Sequence, residues 1–186
     1  MKGKPSTRLV AGTAIMSALV VVFDYSLKFM GVKIPFPFFP TWRFDLDGVP
    51  IVIALMVYGP YSSFVTCAVA FVAILARSGQ VVSASMKALA EFATILGMIP
   101  FYRVRSGRSR VVAMGSGVLS RALIMIVANL AMWPLFFKSL ESALVFVPFS
   151  ALFNGIAGTI SIFGGYLIYE AIARRAPNLM SNIDTE

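Results

Sequence analysis

The side chains able to do chemistry in this chain stand inside long apolar runs. Lys87 and Glu91 lie four residues apart, so a helix would carry both on one face, where they can pair. Arg121 sits in the middle of another apolar stretch. Charges in a nonpolar medium are costly and normally face a bundle interior or a cavity. Two readings stay open. The three can line a pocket, with Glu91 accepting hydrogen bonds from a small molecule's N–H or hydroxyl groups, or form an ion-pair network that locks two helices. Asn129 and Asn154 offer amides that suit a ring carbonyl or imide, or equally a bond between helices. Phe39 stands among five aromatics between Phe36 and Phe44, able to stack on a planar ligand or to form an interfacial belt. Asp45 and Asp47 look like a fragment of a calcium loop, but further spaced oxygen ligands are missing. Helix capping or loop folding is expected of them instead. Asp24 and Lys28 are four apart near a helix end, where Lys28 can reach the interface.

Other chemistries lack their parts. There is no histidine, the commonest metal ligand and general base. The single cysteine, Cys67, lies in an apolar run and leaves no intramolecular disulfide. No G-x-S-x-G or Walker A sequence occurs, so a hydrolase of that kind and an ATPase are both unsupported. No metal and no resident cofactor are expected.

Elements must hold these residues, and composition says in what solvent. Of 186 residues, 59% are hydrophobic and 13% charged, against about half and about a quarter in soluble domains. Lipid must therefore solvate the chain. The reading is an all-α integral membrane protein of one domain, residues 1–186, with six transmembrane helices in one bundle. They are expected at about 8–30, 47–58, 60–77, 82–102, 111–133 and 143–174, the last with an entry loop near Pro148. Pro35, Pro37 and Pro40 forbid helix after the first span, and Gly59-Pro60 divides an apolar stretch too long for one span.

The net charge of +8 would suggest nucleic acid in a soluble protein. Here the basic residues flank apolar runs, so no nucleic-acid partner is expected. Lys2, Lys4, Arg8, Arg103, Arg105, Arg108, Arg110, Arg174 and Arg175 all fall on one side of a six-span topology. The positive-inside rule makes that side, with both termini, cytoplasmic, in a multi-pass protein of the cell membrane.

The stretch "PFFPTWRFDLDGVPIVIALMVYGP" resembles the signature of the substrate-binding S components of energy-coupling factor (ECF) transporters, most closely the riboflavin-binding RibU branch. The matching features are Pro37-Phe38, Asp45, Asp47-Gly48-Val49-Pro50 and Gly59-Pro60. Ala14-x-x-x-Ala18 resembles the small-residue motif that S components present to their transmembrane coupling subunit. "ANLAMWPLF" and "PFSALFNGIAGTI" resemble family patterns through Asn129 and Pro134, and through Pro148, Phe149, Asn154 and Gly158. Two departures stand out. The family's lysine near the start of the last helix is Ala157 here, and "MKALAEF" stands where riboflavin binders often have G-P-x-A-N-F.

The resemblance implies a non-enzymatic, high-affinity binding subunit for a vitamin, with riboflavin as transported ligand. Phe39, Asp45, Lys87, Glu91, Asn129 and Asn154 would contact it. It also implies a transmembrane coupling partner, docking at Ala14 and Ala18, and two cytoplasmic ATPases that drive release inward. An S component for another vitamin, an autonomous ion-coupled carrier using Lys87, Glu91 and Arg121, and a membrane enzyme are the rival readings.

Overall fold

A computed structural model describes residues 6–102, 107–132, 134 and 140–175. In order, the elements are α1 (Thr7–Phe29), β1 (Ile34–Phe36), β2 (Phe39–Phe44), α2 (Gly48–Tyr58), α3 (Pro60–Ser78), α4 (Val81–Met98), α5 (Gly107–Ala131) and α6 (Leu140–Arg175). Among the described residues these six helices are seen, and five of them, all except α2, are long and apolar enough to cross a membrane. The short α2, expected as one of six spans, is not among them. The 11 residues of α2 reach only about 16 Å, roughly half of a hydrocarbon core.

Sequence explains why α2 is nevertheless central. "GVPIVIALMVY" is apolar on every face, and a helix of that kind must be buried all round. Ile51, Val52 and Leu55 are at most 1% exposed and pack with Val20, Cys67, Ile95 and Ile162 from four neighbouring helices. Gly59 ends α2 with φ +88°, a left-handed value that favours glycine, and Pro60 opens α3 at a position where its missing N–H costs nothing.

Polar contacts set the order of the long helices. Thr13 donates to Ser62 Oγ at 2.8 Å, Ser17 lies 3.5 Å from Thr66, and Asp24 accepts from Arg77, so α1 and α3 run parallel. The successive α3–α4–α5–α6 pairs are antiparallel. At the α4–α5 crossing, a Cβ on Gly97 would sit 2.9 Å from the Gly117 Cα, a close approach that only small residues permit. Arg8, Arg108, Arg110, Arg174 and Arg175 accordingly gather at one end of the bundle. Lys2, Lys4, Arg103 and Arg105 lie outside the described residues.

At the other end the expected loop contains an antiparallel hairpin, β1 with β2, pairing Ile34 with Phe44 and Pro35 with Arg43. Prolines excluded helix without excluding strand. A two-stranded ribbon has two open edges, where a missing donor is tolerated, and Ile34, Phe36, Phe39, Trp42 and Phe44 favour extended backbone. Two boundaries also differ from expectation. α4 stops at Met98, and α6 begins at Leu140 and continues through Pro148, with no entry loop there.

Candidate functional site

The hairpin closes over the first half of α6. Phe36, 1% exposed, is the hub of an aromatic cluster with Phe38, Phe39, Trp42, Phe44 and Phe153. Phe39 also meets Phe146 at 4.6 Å and Phe149 at 5.4 Å between ring centroids. Beneath this roof lies a cavity of about 1220 Å³, walled by α3, α4, α5 and α6.

Ion pairs fasten the two feet of the hairpin. Lys33, just before β1, donates to Asp24 Oδ1 at 2.7 Å and lies 3.5 Å from Asp45 Oδ2. Lys87 of α4 donates to both Asp45 and Asp47, just after β2. Arg77 of α3 grips Asp24 through Nε at 2.6 Å and Nη2 at 3.2 Å. Asp24 is 0% exposed and lies about 8 Å inside the end of α1. Such a group must be paired, and here three cations surround it. Burial, reinforced by Asp45 beside it, pushes the Asp47 carboxyl above the ordinary carboxylate range, and its Oδ1 has no partner among the described residues.

Deeper in, one turn beyond Lys87, Glu91 meets Arg121. Arg121 Nη1 donates to Glu91 Oε1 at 2.7 Å and to Thr94 Oγ1 at 3.3 Å. Two glycines make room for the pair. A Cβ on Gly48 would collide with Glu91 Oε2 and Ser161 Oγ, and one on Gly158 would lie 3.1 Å from Arg121 Cδ. Asn129 donates to Met125 O and to Ser150 Oγ, tying α5 to α6, while Asn154 donates to Ser150 O.

All six residues expected to contact a ligand, Phe39, Asp45, Lys87, Glu91, Asn129 and Asn154, line this single cavity. Lys87 departs from expectation and turns to Asp45 and Asp47, not to Glu91 along its own helix. Glu91 pairs with Arg121, the ion pair between two helices that was one of the open readings. Asp47 stands at the N-cap of α2 without making a side-chain cap bond. Asp24 belongs to the hairpin anchorage and pairs with Lys33 and Arg77, not Lys28. Sequence reasoning missed Lys33, Arg77 and Ser161 as cavity residues. An acidic residue well inside an apolar run was the available signal for the first two. Nothing in the sequence singled out Ser161.

No family model matches the sequence, and no curated protein does. A solved structure of the S component of a bacterial ECF transporter matches the fold at a TM-score of 0.75, with 20% sequence identity, over 89% of this chain and 95% of that one. The chain has the S-component fold. That neighbour is a transporter subunit, not an enzyme.

Within the S-component fold, Ala14 and Ala18 lie exposed on the outer side of α1, with Ala11 beside them. Ser17, between them in sequence, points inward to Thr66. Ala157 lines the cavity beside Asn154 and Ser161, so the position that departs from the family pattern faces the same space as Lys87 and Glu91.

Proposed function

We propose that this chain is the substrate-capturing membrane subunit of an ECF-type vitamin uptake transporter, and that riboflavin is the vitamin it takes. The observation carrying this reading is the aromatic-roofed cavity under the hairpin, in a fold shared with an S component. Its volume suffices for a drug-sized ligand, for which pockets run to about 1,000 Å³. Phe39 and Trp42 supply flat apolar surface for a ring system, and Asn129, Asn154 and Glu91 supply polar partners along its edge. Ala157, in place of a lysine, shifts that polar recognition toward Glu91 and Arg121.

Capture occurs from the outside. Arg8, Arg108, Arg110, Arg174 and Arg175 gather at the end away from the hairpin, whereas Lys33, Arg77 and Lys87 at the hairpin end are paired with Asp24, Asp45 and Asp47, and the charge rule puts the arginine end in the cytoplasm. Transport then requires partners, a transmembrane coupling subunit and two cytoplasmic ATPases, because the chain carries no nucleotide-binding loop of its own. The alanine face of α1 is the docking surface, since small residues let another helix approach closely in lipid.

The absorption spectrum of detergent-purified protein tests the ligand. Flavin bands in the preparation, or binding of added riboflavin, support the assignment. Colourless protein that ignores added riboflavin overturns it and turns the search to other vitamins. Uptake by vesicles holding this chain alone, and dissipated by an ionophore, would overturn the ECF reading in favour of an ion-coupled carrier.

A further inference from the structure

The cavity beneath the hairpin carries more positive charge than the carboxylates around it answer. Among the described residues, six cations line it: Lys28, Lys33, Arg43, Arg77, Lys87 and Arg121. Four of them meet a carboxylate, Lys33 and Arg77 at Asp24, Lys87 at Asp45 and Asp47, and Arg121 at Glu91. Lys28 and Arg43 have no ion pair or hydrogen bond among the described residues. Asp24, one turn before Lys28 on α1, is already held by Lys33 and Arg77. Lys28 and Arg43 are both exposed, so a molecule entering the cavity can reach them.

Each has an ordinary explanation taken singly. Lys28 stands in the last turn of α1, where a cation suits the helix dipole. Arg43 lies in a two-stranded ribbon, whose open edges are protected by charged residues. Neither explanation accounts for both uncompensated cations opening onto one cavity. Charges of one sign along a cleft with low-dielectric walls focus their field on what enters it. The volume of about 1220 Å³ also exceeds the roughly 300–1,000 Å³ of ordinary small-molecule pockets, which leaves room for a substituent beyond a ring system.

We propose that Lys28 and Arg43 form an anion subsite of the cavity, taking a carboxylate or phosphate group of the transported molecule. The inference rests on the proposed function and adds a charge class to its substrate: a flat ring under Phe39 and Trp42 with a negative group on its tail. Arg43 follows Trp42 in β2, so the charge stands next to the residue that offers the ring its surface. A cationic tail would meet two like charges. A neutral tail would gain nothing from them. An anionic phospholipid headgroup offers the same chemistry from the bilayer, and the test separates the two sources.

The test uses the full chain in nanodiscs of phosphatidylcholine, which brings no net charge. Dissociation constants are measured for three pairs of compounds that differ by one anionic group: riboflavin and flavin mononucleotide, nicotinamide and nicotinate, biotinamide and biotin. In the pair that binds, the anionic member should bind about 3- to 30-fold tighter at low salt, the worth of two exposed ion contacts. Salt at about 0.5 M should reduce the preference to within about twofold, because exposed charges are then screened. The double variant Lys28→Gln with Arg43→Gln should abolish the preference at any salt. Both side chains are exposed, so their removal strands no buried carboxylate.

Equal or weaker binding of the anionic member by the unaltered chain overturns the subsite and leaves the transporter reading intact. That comparison needs no variant, so it decides the matter even if the double variant does not fold. A preference that survives in the double variant overturns the subsite too, since the charge is then read elsewhere. The measurement is repeated with phosphatidylglycerol in the nanodiscs. A preference that persists there supports the subsite, and one that vanishes assigns the two cations to lipid headgroups and overturns it. No binding of any of the six compounds removes the vitamin-capturing reading, and the subsite with it.

Discussion

Lys87 gathers Asp45 and Asp47 beneath the hairpin, and Asp47 is 1% exposed. Replacing it by methionine strands buried carboxylates, a change that costs about 3–5 kcal/mol when one partner of a buried pair is removed. Lys87→Met should therefore lower the melting temperature in detergent clearly, and Lys87→Arg should lower it much less. Equal melting temperatures for all three proteins would show that the hairpin is held by its aromatic contacts alone. The sequence placed Lys87 and Glu91 on one helix face and offered Arg121 as a partner for Glu91, but it could not show the partners of Lys87. Those lie 40 and 42 residues away, and such pairings exist only once the helices have packed. Asp24 shows the same limit, since its partners lie 9 and 53 residues further on.

Helices were the most legible elements, because lipid obliges each span to be long, apolar and internally hydrogen-bonded. Proline and glycine marked their breaks, as at Gly59-Pro60. The hairpin was not legible, because three prolines hid strand pairing that only its aromatic packing against α6 makes stable. At the level of helix contacts, the α4–α5 crossing is the tightest test. Gly117→Leu would drive a side chain into Met98 and Ile162, within 2.9 Å of where its first carbon would sit. Overpacking of this sort costs about 1–3 kcal/mol. The variant should melt earlier and elute as a broader, partly aggregated peak in size-exclusion chromatography, while Gly115→Leu, with open space beside it, should behave as wild type.

For the whole molecule, composition alone identified the solvent as lipid, while the ligand site was only partly readable. Its residues run from Lys28 to Ser161, and their convergence is a property of the packed bundle. Orientation yields a direct prediction. With Cys67 replaced by alanine, a cysteine at Thr41 should react with a membrane-impermeant maleimide added to intact cells, and one at Arg174 should react only after lysis. The opposite pattern would invert the proposed topology. Docking yields another. Ala14→Trp with Ala18→Trp should abolish vitamin uptake in cells while leaving binding to the purified chain within about twofold, because both residues lie on the outer surface, away from the cavity.

The last helix carries a consequence for the membrane itself. α6 has 36 residues, about 54 Å if straight, against a hydrocarbon core of about 30 Å. Even a tilt of about 40° would leave it too long. Its opening turns, before Pro148, must therefore stand at headgroup level, and they carry Phe146 against Phe39. Bilayer thickness thus reaches the roof of the cavity. A thicker bilayer draws α6 upright and a thinner one lays it over, moving Phe149 and Phe153 under the hairpin. Ligand affinity should accordingly change with acyl-chain length, a comparison open to nanodiscs made from 14-carbon and 18-carbon lipids.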